Sequence, residues 1–191
     1  MKKTLIILSL LFACLTAAAE QTGTFTDWHN YLDSISIKED FNLRDYAKVC
    51  ILPPDTKDTP LPDEKDNTYK IRKEFLETLQ DKLTEAVGKK VSPIEKVASI
   101  EDCEGRCLVL ETKILQLHSG NQALRVWVGF GAGCGEFHVQ GRLIDSSNGN
   151  VLVEFKQRRL TTELTNHKAV LKKLVKSLGS DISTMINAFK K

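Results

Sequence analysis

Gly135-Glu136-Phe137-His138-Val139-Gln140-Gly141-Arg142-Leu143-Ile144-Asp145 is the stretch on which the fold turns. Phe137, Val139 and Leu143 alternate with His138, Gln140 and Arg142, which is the period-two pattern of an antiparallel strand with one buried and one wetted face. Asn148-Gly149 follows, a pair that tolerates positive φ and is the best short hairpin signal in the chain. A second strand is expected over Val151–Thr161 and a third, upstream, over Cys107–His118. Consecutive strands of this length belong side by side in one sheet.

Toward the C-terminus, Val170, Leu171, Leu174, Leu178, Ile182, Met185, Ile186 and Phe189 recur at spacings of three and four, which predicts an amphipathic helix over 167–189 with Gly179 as a bend. Toward the N-terminus, residues 47–52 form an apolar run stopped by Pro53-Pro54, as expected of a strand ended by residues that cannot donate to a ladder. After an acidic, proline-bearing loop (55–66), Ile71, Phe75, Leu79 and Leu83 predict one amphipathic helix over 68–87. Asp66 or Asn67 would cap its start, and Gly88 would take the left-handed position past its end. Residues 91–97 read as a weaker strand. Residues 20–46 lack sustained periodicity and read as a lead-in segment that docks on the domain. The expectation is an α/β domain over 47–191: a mostly antiparallel mixed sheet with two amphipathic helices packed on it as a two-layer sandwich.

The first residues bear on address. Lys2 and Lys3, the apolar run Leu5 to Leu15 and the small residues Ala17, Ala18 and Ala19 have the order of a secretion signal over 1–19, in a run too short to span a bilayer. Leu11-Phe12-Ala13-Cys14 also approximates the box cut by lipoprotein signal peptidase, which would leave Cys14 lipidated and the protein membrane-anchored. Export to the periplasm is the expectation, in either a soluble or an outer-membrane-anchored form. Removing 1–19 takes two lysines and no acid, so Lys+Arg falls from 27 to the same count as the 25 acidic residues. A balance of that kind gives no global pull toward nucleic acid.

Cys50, Cys103, Cys107 and Cys134 remain after either cleavage, in a compartment where disulfides persist, and three pairings are open. Cys103 and Cys107 frame Glu104-Gly105-Arg106. Extended chain would hold their Cα atoms ~13 Å apart, so a bridge between them needs a turn, which Gly105 permits. A tetrathiolate zinc site would want two close cysteine pairs, which the spacing lacks. Buried free thiols are the third alternative.

Gly129-Phe130-Gly131-Ala132-Gly133-Cys134-Gly135 is the most unusual local chemistry. It lacks the lysine and hydroxyl residue of a phosphate loop and the spacing of a dinucleotide fingerprint. It reads either as a twisted strand close to another element or, with Trp127 beside it, as a partner contact made by Trp127, Gly129, Phe130, Gly131 and Gly133. His29, His118, His138 and His167 match no metal or metalloprotease spacing, so no cofactor and no catalytic residue is assigned. The basic last helix, with Lys168, Lys172, Lys173 and Lys176, reads as a solvated face or as a site for an acidic partner or anionic lipid.

Leu124-Arg125, Val128-Gly129-Phe130-Gly131-Ala132-Gly133, Gly141-Arg142-Leu143-Ile144-Asp145 and Asn148-Gly149 with Val151-Leu152 together resemble the bacterial domain of unknown function 4410 family. Thr22-Gly23, Tyr31-Leu32 and Tyr46-Ala47-Lys48-Val49 are similar to that family's opening. Cys134 departs from the small or polar residue more usual there. The resemblance implies a secreted or lipid-anchored envelope protein with no activity assigned. The order of elements is similar to the amino-terminal domain of TolB and to the periplasmic part of the curli secretion channel, an analogy of fold that does not fix function. The expected function is therefore a non-catalytic envelope module that binds another envelope protein. A ring-forming or membrane-associated lipoprotein subunit is the alternative, and an enzyme of unrecognised type the third reading.

Overall fold

A computed structural model describes residues 22–120, 133–162 and 166–191. The described residues form seven strands, β1 (Gly23–Trp28), β2 (Leu32–Ile37), β3 (Lys48–Ile51), β4 (Ile94–Lys96), β5 (Cys107–His118), β6 (Gly135–Asp145) and β7 (Val151–Thr161). Three α-helices accompany them: α1 (Tyr69–Glu77), α2 (Leu79–Gly88) and α3 (His167–Ala188). The sheet order is β1-β2-β7-β6-β5-β3-β4. Pairing is antiparallel from β1 through to β5, and parallel where β5 meets β3 and β3 meets β4.

The three long strands and the last helix lie where the alternation and the three-four spacing put them. Phe137, Val139 and Leu143 of β6 turn to one face, joined there by Leu108, Leu110, Ile114 and Leu117 of β5 and by Val153 and Phe155 of β7. Leu79, Leu83 and Val87 of α2 and Leu171, Leu174, Leu178 and Ile182 of α3 cover that face and complete the main core. Each fully buried side chain of this kind contributes on the order of 1.5–3 kcal/mol through loss of apolar surface from water. On the opposite face Cys50, Val97, Cys107, Val109 and Ile144 form a second, smaller cluster at one end of the sheet.

Several local expectations are corrected. The lead-in segment is a β-hairpin: β1 pairs with β2, and β2 with β7, so it adds two strands to the sheet. Its connection carries His29 and Asn30 at positive φ, with Tyr31 N–H donating to the Trp28 carbonyl at 3.0 Å. That mirror-image turn suits the strand twist but is written here without glycine, which is why it was not legible. The helix expected over 68–87 is two helices. Thr78 breaks it, adopting φ −106° and ψ 11° while its hydroxyl donates back to the Glu74 and Phe75 carbonyls, a competition that bends helices. Among the described residues there are thus three α-helices rather than two. Neither Asp66 nor Asn67 caps the first: Thr68 takes the N-cap position without a side-chain cap bond, and Asp66 accepts from Thr68 N–H at 2.6 Å in the turn just before the helix.

Gly88 ends α2 without entering the left-handed region, and a Cβ there would press on Ile94 at 3.0 Å. Asn148-Gly149 lies in a connection in which only Gly149 takes positive φ (75°), its N–H donating to the Asp145 carbonyl at 2.8 Å. Gly179 does not end or divide α3, which runs unbroken from His167 to Ala188. It is instead the point of closest approach to α2, where a Cβ would collide with the Cβ and backbone of Ala86. Gly179→Val is accordingly expected to force the two helices apart and to lower stability by about 1–3 kcal/mol, read as a fall in the urea midpoint. An unchanged midpoint would show that the close approach is not required.

Candidate functional site

Two ends of the sheet carry unusual chemistry. At the first, the parallel register of β3 on β5 sets Lys48 opposite Cys107 and Cys50 opposite Val109, so both cysteines face the smaller cluster. Cys103 arrives from the loop before β5. Ser99 and Asp102 fix that loop through a reciprocal cap, in which the Asp102 carboxylate accepts from Ser99 N–H at 2.9 Å and from the Ser99 hydroxyl at 3.1 Å. Gly105, at φ 77°, then turns the chain into β5.

The Sγ atoms of Cys50, Cys103 and Cys107 consequently lie within 4.8 Å of one another. Cys50 and Cys107 are buried, Cys103 is half-buried, and none of the three is in a disulfide. Burial pushes the Cys50 thiol up strongly, reinforced by its hydrogen bonds with Cys103 and Cys107; burial likewise raises Cys103. Cys134, the fourth candidate for pairing, sits just before β6, at the opposite end of that strand from Asp145. The eleven residues of β6 at ~3.3 Å each put it on the order of 35 Å away, so neither a disulfide to this group nor a tetrathiolate site can form.

Directly across the sheet, the buried Asp145 carboxylate accepts from the Tyr46 hydroxyl (3.0 Å), from Arg106 Nη2 (2.6 Å) and Nε (3.1 Å), and from the Ser147 amide (2.9 Å) and hydroxyl (2.6 Å). Burial alone would raise its pKa. The donors from Arg106, Ser147 and Tyr46 outweigh burial and hold it well below the usual carboxylate range. Burial, and then the hydrogen bond to Asp145, push Tyr46 up to about 12. Arg106 also lies over the Tyr46 ring, 4.8 Å from its centroid. The group ties the start of β5, the end of β6 and the approach to β3 together, with each donor matched to the anion.

At the other end, β5 leaves the sheet at His118 and β6 returns at Gly135. Gly120 and Gly133 both take positive φ (79° and 72°), and a Cβ on Gly120 would collide with the Gly133 carbonyl. The chain therefore departs and returns at one pinned point. Of the proposed contact residues, Gly133 belongs to this pin, whereas Trp127, Gly129, Phe130 and Gly131 lie outside the described residues, as does Cys14. Nearby, Gly120 N–H donates to His118 Nδ1 at 2.9 Å, and His167 Nδ1 is 2.9 Å from the Ser119 hydroxyl. That pair, whose approach sequence spacing could not reveal, fastens the start of α3 to the end of β5.

Between the two ends, the helix-free face of the sheet carries opposite charges in pairs: Glu111 with Arg142, Glu136 with Arg158, and Lys113 with Asp58. A shallow depression of about 210 Å³ there is lined by Asp55, Glu111, Thr112, Lys113, Gln140, Gly141, Arg142 and Glu154. On the helical side, Lys172 and Lys176 of α3 share a groove with Lys82, Glu85 and Lys89 of α2. Among the described residues, no helix is long and apolar enough to cross a membrane.

The family model of a domain of unknown function, DUF4410, matches residues 32–165. The chain belongs to the DUF4410 family. The match runs from the first residue of β2 to just short of α3, and so takes in both ends of the sheet described above. None of the curated proteins matches the sequence. Among solved structures, this DUF4410 chain is similar to the PelC dodecamer from Paraburkholderia phytofirmans, with 15% identity over 77% of this chain and 96% of that one and a TM-score of 0.52. It is also similar to a DUF330 protein from Xanthomonas campestris, with 11% identity over 71% of this chain and 81% of that one and a TM-score of 0.43. The likeness to PelC is one of fold.

Proposed function

We propose that the chain is a non-catalytic structural module of the cell envelope that works by protein association, and that it associates first with copies of itself. The observation that carries this reading is the pinned departure point at Gly120 and Gly133. Gly120 and Gly133 meet at that one fixed place, and the sequence between them includes Trp127 and Phe130. An aromatic and branched run anchored on a rigid scaffold has the composition of a contact segment.

Self-association is favoured over a foreign partner by the PelC structure. It is a dodecamer, and 96% of its chain corresponds to this fold. A leader over 1–19 would supply the address; cleavage before Cys14 instead would leave that residue lipidated as a membrane anchor. The alternating charges of the open sheet face supply polar rim rather than a hydrophobic core for such contacts.

Replacing Trp127 and Phe130 together with alanine tests the contact. Sedimentation of the exported form is expected to show the assembly dissociating to protomers with an unchanged circular dichroism spectrum. An assembly that withstands both substitutions would overturn the role given to this segment.

A further inference from the structure

We propose that Cys50, Cys103 and Cys107 form a three-thiolate binding site for a single thiophilic d10 metal ion. The three sulfurs come from three separate pieces of structure, β3, the loop before β5 and the first residue of β5, yet lie within 4.8 Å of one another. Three thiolates around one ion at ~2.3 Å each would be spaced roughly 4 Å apart, so the cluster closes on an ion with sub-ångström adjustments of side chains. Such adjustment falls on Cys103, the half-buried member, while Cys50 and Cys107 are held on paired strands.

The surroundings suit a soft cation. Val97, Val109 and Ile144 form an apolar shell with Leu52 and Ile100 packed against it, and sulfur-only ligation in such a shell selects Zn²⁺ or Cu⁺ over harder ions. Cys103 gives the ion a way in from solvent. Lys48, two residues before Cys50 and on the same strand face, is held by Glu95 at the edge of the cluster and offsets part of the negative charge that remains. Binding converts three thiols to thiolates and releases their three protons to solvent, with no change of oxidation state. The site is independent of the association proposed above, because Cys134 and the pinned glycines lie at the far end of the sheet.

The test uses the full chain, reduced and kept anaerobic, titrated separately with Zn²⁺ and with Cu⁺ against a competing chromophoric chelator. One ion per chain is expected, with Cys103, the half-buried member, protected from a thiol reagent once the ion is bound. Co²⁺ in place of Zn²⁺ should give thiolate-to-metal charge-transfer absorption, and the two titrations decide which ion binds more tightly. Cys103→Ser, at the half-buried position, is expected to weaken binding by at least about tenfold while leaving the apo circular dichroism spectrum unchanged. Cys134→Ser should have no effect. Failure to hold either ion against the chelator, equal loss in Cys134→Ser, or a disulfide between any two of the three cysteines in protein isolated from its native compartment would each overturn the proposal.

Discussion

Phe189→Ala is expected to lower the stability of the domain by about 3–5 kcal/mol, the range for deleting a fully buried aromatic side chain and leaving its cavity. Phe189 is fully buried where α3 ends, stacked on Phe41 at 4.3 Å between ring centroids and on Trp28 at 6.5 Å. Its carbonyl accepts from Leu43 N–H at 2.8 Å. One residue thus binds the end of the last helix to the β1–β2 hairpin and to the segment leading into β3. Denaturant unfolding should show the loss, and hydrogen exchange should show β1 and β2 amides losing protection before those of β5 and β6. A loss below about 1 kcal/mol would mean the site collapses around the smaller side chain, and that the hairpin is held chiefly by its ladder to β7.

Asp145→Ala is expected to cost about 3 kcal/mol or more, because it strands the buried Tyr46 hydroxyl and removes the partner of Arg106. The side chain of Arg106 is 48% exposed against 2% for Asp145, so Arg106→Ala should cost less: water can enter the space the guanidinium leaves and bond the carboxylate, which keeps its donors from Tyr46 and Ser147. The pH dependence follows from the sign of the shift. The folded-state pKa of Asp145 is depressed below its unfolded value, so its contribution is fully present at neutral pH. It is lost as pH falls below the unfolded value of ~3.9 and on through the folded one. Stability measured from pH 7 to pH 2 should therefore fall more steeply in the native protein than in Asp145→Asn. Parallel acid limbs for the two proteins would contradict the assigned role.

What the sequence revealed and what it hid follow from the range of the forces involved. Strands β5, β6 and β7 and helix α3 were legible because their apolar periodicity extends over eleven or more residues, long enough for burial to dominate the local signal. The β1–β2 hairpin was not, since its turn places His29 and Asn30 at positive φ without a glycine to announce it. The break at Thr78 lay inside an unbroken four-residue apolar stripe and depends on one hydroxyl turning back on the helix backbone. Gly88 and Gly179 carried conformational signals but are used for close packing, which depends on neighbours distant in sequence.

The site shows the same division. Gly105 permitted a turn between Cys103 and Cys107, and that turn is present. Cys50 joins them only through the parallel pairing of β3 with β5, and the same topology carries Cys134 to the far end of the sheet. Asp145 and Tyr46 stand in stretches that carry the family resemblance, but no spacing joins them to each other or to Arg106, because the carboxylate is satisfied from segments distant in sequence.

The claim on which the functional account rests is that this fold acts by assembling. Native mass spectrometry of the exported form, released from the membrane in mild detergent where it is lipidated, measures this directly. The account predicts a discrete closed oligomer of many copies as the dominant species at micromolar concentration. A protomer that stays monomeric across concentrations, with and without detergent, would contradict it.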